Sequence, residues 1–262
     1  MKSSGMVTMT TDFGTVDGYV GAVKGVIVSI YPKVTLMDLT NDIPSYDIVV
    51  GAFHLGVAFS YYPKGTVHLA VVDPGVGSRR KPILVQTQNY FFVAPDNGLL
   101  SVVLEKDPMV ATYELTEEKY FRGDMSSTFH GRDLFGPVAA HLARGVSPSK
   151  MGPKISQPKS LKEFEFQKKS SGWEGKVLFF DKFGNAFTNI HGPFPKKASF
   201  SHVELGERKI PLYRTYSEIP VGEPGALFGS AGYLEIALRE DHFQNRFNIS
   251  RGESVKLVVA SF

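Results

Sequence analysis

Residues 66–77 read Thr-Val-His-Leu-Ala-Val-Val-Asp-Pro-Gly-Val-Gly, and this stretch decides the fold. Its first part, residues 66–72, is a nearly continuous apolar run, which is typical of a strand buried on both faces of a sheet. Such strands belong to parallel sheets that helices cover on both sides. The acid and the two glycines that follow predict a loop at the carboxyl end of the strand, where ligands of open α/β sheets bind.

Strand and helix patterns alternate through the rest of the first half. Further strands are predicted at residues 6–11, 34–39, 82–88 and 90–94, and helices at 18–30, 46–62, 97–104 and 131–144. Alternating strands and helices favour a largely parallel sheet. We therefore expect residues 1–150 to form an α/β domain with a mostly parallel sheet flanked by helices.

The composition changes at residues 151–172, which are rich in proline, serine and lysine and are predicted to form a linker. Beyond the linker, short strand patterns alternate with turns, and no helix of useful length is expected. The strands are predicted at residues 176–180, 186–190, 203–205, 210–213, 226–228, 233–238 and 255–261. This pattern favours a small all-β barrel domain at residues 173–262.

Composition excludes several classes of protein. Of the 262 residues, 42% are hydrophobic and 21% are charged, which is close to the soluble globular average. Cysteine is absent, which removes disulfides, thiolate metal ligands and cysteine nucleophiles. A net charge of +3 is too small to indicate nucleic-acid binding. No signal peptide or membrane span is predicted, since the longest apolar stretch, residues 48–62, is too short to cross a bilayer, so we expect a soluble, cytoplasmic protein.

Polar residues gather where the strands of the first half are predicted to end. Asp12 follows the first strand, and its carboxylate suits either a ribose diol or the backbone of its own turn. Asp73 follows the central strand and can pair with Arg79 or with Arg80. His130 precedes the last helix, whose dipole disfavours an imidazolium and favours a neutral ring that can accept a proton.

In the second half, residues 181–187 pack an acid, an amide and two aromatic residues around one glycine. Aromatic faces and an amide suit a heteroaromatic base, and Asp181 suits an ammonium group. The same pattern also describes a tight hairpin with Gly184 and Asn185 at its turn. Ser230, in a second turn, offers a free hydroxyl.

Six short motifs follow one another along the chain. They are Thr-Asp-Phe-Gly at 11–14, Val-Asp-Pro-Gly-Val-Gly at 72–77, Ala-Pro-Asp-Asn-Gly at 94–98, Thr-Phe-His-Gly-Arg-Asp at 128–133, Asp-Lys-Phe-Gly-Asn at 181–185 and Gly-Ser-Ala-Gly-Tyr-Leu-Glu at 229–235. Together they resemble the S-adenosyl-L-methionine (SAM) hydroxide adenosyltransferases, also called adenosine-forming SAM hydrolases. That family is related to the SAM-dependent fluorinases and chlorinases.

The resemblance implies hydrolysis of SAM to adenosine and L-methionine, without a metal or a cofactor, by a homotrimer with active sites between subunits. It implies that Asp73, Arg80 and His130 handle the water. The substrate-binding residues that it implies are Asp12, Asp181, Phe183, Asn185, Phe187 and Ser230. Halogenases replace the Asp and the His of the water-handling set, whereas both are present here, which argues against halide as the nucleophile.

In the proposed reaction the nucleophile must be activated, whereas the leaving group needs no help, because a sulfonium is already an excellent leaving group. Free water has a pKa of about 15.7 and must be deprotonated or strongly polarised. We hypothesise that Asp73, Arg80 and His130 hold a water or hydroxide in line behind the ribose C5′. Arg80 would stabilise the developing hydroxide, and either His130 or Asp73 would accept the proton.

Three other interpretations stay open. The chain could bind SAM or adenosine without catalysis. It could be a metal-dependent hydrolase with Asp12, Asp38, Asp73 and His130 as ligands. A nucleic-acid binder is suggested only by the basic isoelectric point and the lysine-rich linker, which is more simply a solvated connector.

Overall fold

A computed structural model describes residues 1–196 and 198–260. The chain divides into two compact units, Met1–Leu161 and Lys162–Phe262. The division falls inside the stretch 151–172 that the composition suggests as a linker. In the described residues, every helix is too short or too polar to cross a bilayer.

The first unit is built on a seven-stranded sheet. Its strands are β1 (Met6–Thr11), β2 (Thr35–Thr40), β3 (Val67–Val71), β4 (Pro82–Thr87), β5 (Phe91–Pro95), β6 (Met109–Glu114) and β7 (Lys154–Ile155), in the spatial order β2-β1-β3-β5-β4-β6-β7. Strands β2, β1, β3 and β5 pair in parallel, whereas β4, β6 and β7 join through antiparallel pairs. Five of these seven strands within residues 1–161 therefore run in one direction, which confirms the predicted sheet.

Helices cover both faces of this sheet. They are α1 (Tyr19–Ile30), α2 (Ile48–Ala58), α3 (Ser101–Lys106) and α4 (Gly136–Ala143). The helix α1 packs on α4, and α2 packs on α3. On β3, Leu69 belongs to the core beneath α1 and α4, whereas His68 lies on the opposite face against Phe59. The whole strand is buried, as its continuous apolar sequence predicts.

Three predicted helices differ from the structure by two or more residues at their first residue, and local side-chain contacts explain where two of them begin. The carboxylate of Asp47 caps the backbone N of Val50, so α2 begins at residue 48 rather than 46. The side chain of Asn97 accepts a hydrogen bond from the backbone N of Leu99, and this turn delays the start of α3. The predicted helix 131–144 begins with a π-helical turn, Gly131–Phe135, before α4.

The second unit is a nearly closed antiparallel barrel. Its strands are β8 (Gln167–Lys169), β9 (Gly172–Phe180), β10 (Ala186–His191), β11 (Phe200–Leu205), β12 (Arg208–Pro211), β13 (Pro224–Phe228), β14 (Tyr233–Leu238) and β15 (Ser254–Val259). They follow the order β12-β11-β15-β9-β10-β14-β13, with β8 pairing with β9. A bridge between Leu212 and Ala226 joins the two ends of this order. The barrel was predicted, whereas β8 and the short helix α5 (Phe243–Phe247) were not.

Candidate active site

Two acidic residues lie at the same edge of the first sheet. Strands β1 and β3 are parallel neighbours, and Thr11 lies opposite Val71. Asp12 and Asp73 follow these two residues in the chain and therefore lie close together. Burial raises the pKa of Asp12, and the nearby charge of Asp73 raises it further. Both carboxylates line one pocket of about 330 Å³. The sheet register therefore builds the acidic part of this pocket.

Asp73, Arg80 and His130 are in direct contact beside this pocket. The Nε and Nη2 atoms of Arg80 donate to Oδ2 of Asp73 at 2.8 and 2.5 Å, and Nη2 also donates to Nδ1 of His130 at 2.8 Å. The side chains of Arg80 and Asp73 are only 7% and 6% exposed. The guanidinium also lies 5.1 Å from the ring centroid of Phe135. The structure thus selects Arg80 over Arg79, which is exposed.

The loop that returns the chain from Asp73 to Arg80 depends on a glycine. Gly77 has a φ of 76°, a backbone conformation that L side chains rarely adopt. A Cβ atom there would lie 2.9 Å from the backbone O of Ser127. The missing side chain therefore lets this loop pack directly on the segment that leads to His130.

The contact with Arg80 determines where the His130 ring carries its proton. A guanidinium offers only N–H donors, so Nδ1 of His130 is the acceptor and is unprotonated. Burial and the positive charge of Arg80 lower the pKa of His130. The ring is therefore neutral, with its proton on Nε2.

One oxygen of Asp73 has no hydrogen-bond partner in the described residues. Its Oδ2 atom accepts both hydrogen bonds from Arg80. Its Oδ1 atom is buried and has no hydrogen-bond partner among the described residues. Because buried polar atoms are normally paired, the unused acceptor at Oδ1 is an exception that calls for an explanation.

Side chains and backbone that the sequence reasoning missed complete the pocket. The backbone N of Tyr46 donates to Oδ2 of Asp12 at 2.8 Å. The rings of Phe13 and Tyr19 lie edge-on to Phe129 at 5.7 and 5.3 Å and form an aromatic wall. In the sequence motifs, Phe13 follows Asp12 and Phe129 precedes His130, so the motifs could have indicated both aromatic residues. Tyr46 acts through its backbone, which leaves no signal in the sequence.

Three candidate residues of the second unit line a separate pocket of about 470 Å³. They are Asp181, Phe183 and Asn185. The Asp181 carboxylate already accepts hydrogen bonds from the backbone N of Phe183 and of Asn185, both at 2.9 Å, and from Nδ2 of Asn185 at 3.1 Å. Gly184 has a φ of 83°. The segment therefore forms a tight turn, which was one of the two interpretations that its sequence allowed. Asp181 both stabilises this turn and lines the pocket.

Phe187 and Ser230 are not among the residues that line this pocket. The ring of Phe187 stacks on Phe179 at 4.9 Å, and Ser230 is exposed. The sequence analysis missed a neighbouring pair. The hydroxyl of Tyr216, a pocket residue, donates to the buried carboxylate of Glu235, and burial raises the pKa of that carboxyl group.

The four residues of the metal-site interpretation do not form one donor set. The Asp38 carboxylate binds Nζ of Lys24 at 2.6 Å and Nδ2 of Asn41 at 2.8 Å. The Asp73 carboxylate is paired with Arg80. Among residues 1–196 and 198–260, no group of three or more His, Asp or Glu side chains is arranged to hold a metal ion.

The first unit is an α/β unit that contains the contact among Asp73, Arg80 and His130, and a β-barrel unit follows it in the chain. These two features together define a class of two-domain enzyme with an α/β unit and a barrel unit. The family model described as the SAM hydroxide adenosyltransferase N-terminal domain matches residues 7–152, and the model for the C-terminal domain matches residues 175–256. The chain belongs to the SAM hydroxide adenosyltransferase family.

Similar proteins cover nearly the whole chain. A protein from Thermus thermophilus named (R)-S-adenosyl-L-methionine hydrolase is 36% identical over 96% of this chain and 99% of its own length. A protein of the same name from Methanocaldococcus jannaschii is 38% identical over 97% of this chain and 95% of its own length. The crystal structure of an uncharacterized conserved protein from Thermotoga maritima matches with a TM-score of 0.86 and 31% identity, over 97% of this chain and 99% of that chain. The family resemblance that the motifs indicate is thereby confirmed.

Proposed function

We propose that this enzyme hydrolyses SAM to adenosine and L-methionine. The observation that carries the proposal is the contact among Asp73, Arg80 and His130 beside the pocket that Asp12 also lines. Two relatives named for this activity match nearly the full length of the chain. Their names specify the (R) epimer, and we propose the same epimer as the substrate here.

The reaction exchanges one bond at C5′ of the ribose. The oxygen of water forms a bond to C5′ while the C5′–S bond breaks and its electron pair goes to sulfur. Methionine leaves as a neutral thioether, so sulfur needs no general acid. A partly negative nucleophile attacks a cationic substrate, and a low dielectric strengthens their attraction.

Asp73 accepts the proton of the attacking water through Oδ1, the buried oxygen that has no protein partner in the described residues. Arg80 holds Oδ2 and keeps the carboxylate in place. His130 donates to the water oxygen through Nε2–H and is not the base, because Arg80 occupies its Nδ1. Of the two proton acceptors that residue types allow, this arrangement favours Asp73.

The remaining residues bind the two ends of the substrate. Asp12, whose Oδ2 is held by the backbone of Tyr46, accepts hydrogen bonds from the ribose diol. The residues assigned to the methionine and adenine ends are Asp181, Phe183, Asn185, Phe187 and Ser230. Support for this assignment comes from the shared pocket of Asp181, Phe183 and Asn185.

We also propose a homotrimer with active sites between subunits. Two large side chains at the first pocket are exposed, Tyr46 at 70% and Tyr19 at 52%. Tyr19 and Tyr46 themselves line that pocket. Contact with a second subunit would remove this surface from water. Light scattering behind size exclusion tests the assembly, and a monomer at assay concentrations would exclude it.

Isotope labelling tests the proposed reaction directly. The purified full chain is incubated in ¹⁸O-labelled water with the (R) or the (S) epimer of SAM. We expect equimolar adenosine and methionine from the (R) epimer, with the label in the 5′-hydroxyl of adenosine. Binding of SAM in calorimetry without any adenosine would overturn hydrolysis and leave a SAM-binding module.

A further inference from the structure

Asp133 is a fully buried carboxylate that the proposed reaction does not use. Its two oxygens accept hydrogen bonds from three residues. Arg132 donates through Nε at 2.6 Å and Nη2 at 2.8 Å, and Arg122 through Nη1 at 3.4 Å. The backbone N of Ser126 donates at 2.9 Å.

These donors tie together the two ends of the segment 122–133. The side chain of Arg122 reaches the Asp133 carboxylate, and the backbone N of Arg122 donates to the backbone O of Asp133 at 2.8 Å. The backbone N of Ser126 is bound in the same place. The segment is therefore a loop closed on Asp133.

This closed loop carries part of the active site. Phe129 and His130 lie within it and line the first pocket. The guanidinium of Arg132, which Asp133 holds, lies 5.1 Å from the ring centroid of Phe129. His130 immediately precedes the π-helical turn that contains Asp133, and such turns frequently occur at functional sites. The position of Asp133 is therefore linked to both side chains.

The carboxylate can hold the loop because it stays charged. Burial by itself would raise the pKa of Asp133, but hydrogen bonds from Arg132, Ser126 and Arg122 outweigh burial and lower the pKa below its ordinary value. Replacing the carboxylate would weaken the hydrogen bonds from Arg132, Arg122 and Ser126, which are the contacts that close the loop on this buried acceptor.

We propose that Asp133 is a positioning residue, which closes the loop 122–133 so that Nδ1 of His130 meets Arg80. The effect on turnover rests on the proposed function, in which His130 acts on the water. The effect on the His130 ring does not, and it is measurable without substrate.

The test compares Asp133→Asn with a matched buried control, Asp107→Asn. Asp107 is 3% exposed, accepts two hydrogen bonds from Asn89 and does not line the pocket. We expect Asp133→Asn to lower kcat about 10- to 100-fold, because a small displacement of a reacting group has effects of this size. KM should change much less, and Asp107→Asn should keep the wild-type kcat.

Imidazole ¹⁵N NMR separates a positioning role from a merely structural one. In the wild-type protein we expect His130 to carry its proton on Nε2 alone. In Asp133→Asn we expect a mixture of both tautomers, because the contact with Arg80 is lost. A wild-type tautomer in Asp133→Asn would overturn the proposal, whether or not kcat falls. A changed tautomer with unchanged kcat would instead remove His130 from the proposed reaction.

A second variant decides the matter if Asp133→Asn does not fold. Arg132→Gln removes two of the donors to Asp133 from a side chain that is 29% exposed. We expect the same change of tautomer with a kcat loss of about 10-fold. An unchanged tautomer would overturn the proposal. If the wild-type protein does not turn over SAM, the proposed function fails, and the NMR comparison still decides the role of Asp133.

Discussion

Nη2 of Arg80 lies 2.8 Å from Nδ1 of His130, so a group that only donates hydrogen bonds faces a nitrogen that must accept one. This contact assigns different tasks to two residues that residue type alone leaves interchangeable. In the proposed mechanism, His130 keeps its proton on Nε2 and donates to the water, whereas Asp73 accepts a proton through Oδ1, which has no partner in the described residues. The proposed mechanism follows from that division.

Replacing Asp73 with Asn removes the proposed proton acceptor at almost constant size. We expect kcat to fall about 10²- to 10⁴-fold, measured as adenosine released from SAM. Asp38→Asn is the control, since Asp38 forms a partly exposed pair with Lys24 and should matter little. Equal losses in both variants would contradict the role of Asp73.

Turnover should fail at acid pH when His130 becomes protonated, because an imidazolium cannot accept a hydrogen bond from Arg80. Burial and the charge of Arg80 lower the pKa of His130 from its ordinary value of 6.5, so the neutral ring persists below that pH. The acid limb of the kcat profile should therefore have its midpoint below pH 6.5. In Arg80→Met, NMR titration should give a higher pKa for His130, and an unchanged pKa would argue against this cause.

Gly131→Ala should narrow the first pocket. A Cβ atom at residue 131 would lie 2.8 Å from Cζ of Phe13, and that ring lines the pocket. We expect KM for SAM to rise about 10-fold, equivalent to about 1.4 kcal/mol of binding free energy. Gly21→Ala is the matched control: nothing lies within 4 Å of a Cβ there, and alanine in helix α1 should stabilise the protein by about 0.5–1 kcal/mol. Equal KM values for the two variants would contradict the prediction.

The buried ring of His68 should make the protein less stable in acid. Its Nδ1 lies 2.7 Å from Oγ1 of Thr8, and burial lowers its pKa to about 3. The unfolded chain binds this proton near pH 6.5, so stability present above pH 6.5 is lost as the pH falls toward 3, at up to about 1.4 kcal/mol per pH unit. In urea unfolding, His68→Asn should flatten this dependence, and the wild-type slope in the variant would refute the assignment.

Chelation should leave turnover unchanged, because the proposed reaction uses only Asp73, Arg80 and His130 around the water. Activity is measured after dialysis against EDTA and again after divalent cations are restored. Loss of kcat with EDTA and its recovery with a metal would contradict the mechanism and return attention to a metal-dependent hydrolase.

Patterns carried by many side chains were predictable from the sequence. The apolar run at 66–72 predicted the buried strand β3, and the change of pattern after residue 172 predicted the barrel. Strand β6 was missed because its burial does not alternate and Val110 is 52% exposed. The hydrogen bond from the backbone N of Tyr46 to the Asp12 carboxylate was missed because a backbone donor 34 residues away leaves no pattern in the sequence.

The sequence by itself determined most of the strands and helices of the first unit, the two-part architecture and the family, because local periodicity and motif order are properties of the linear chain. Only the tertiary structure chose Arg80 over Arg79, gave the His130 proton to Nε2 and closed the loop on Asp133. Those outcomes depend on hydrogen bonds, whose direction and length are set by atoms that folding brings together. For Arg80 and His130, these atoms come from residues 50 positions apart.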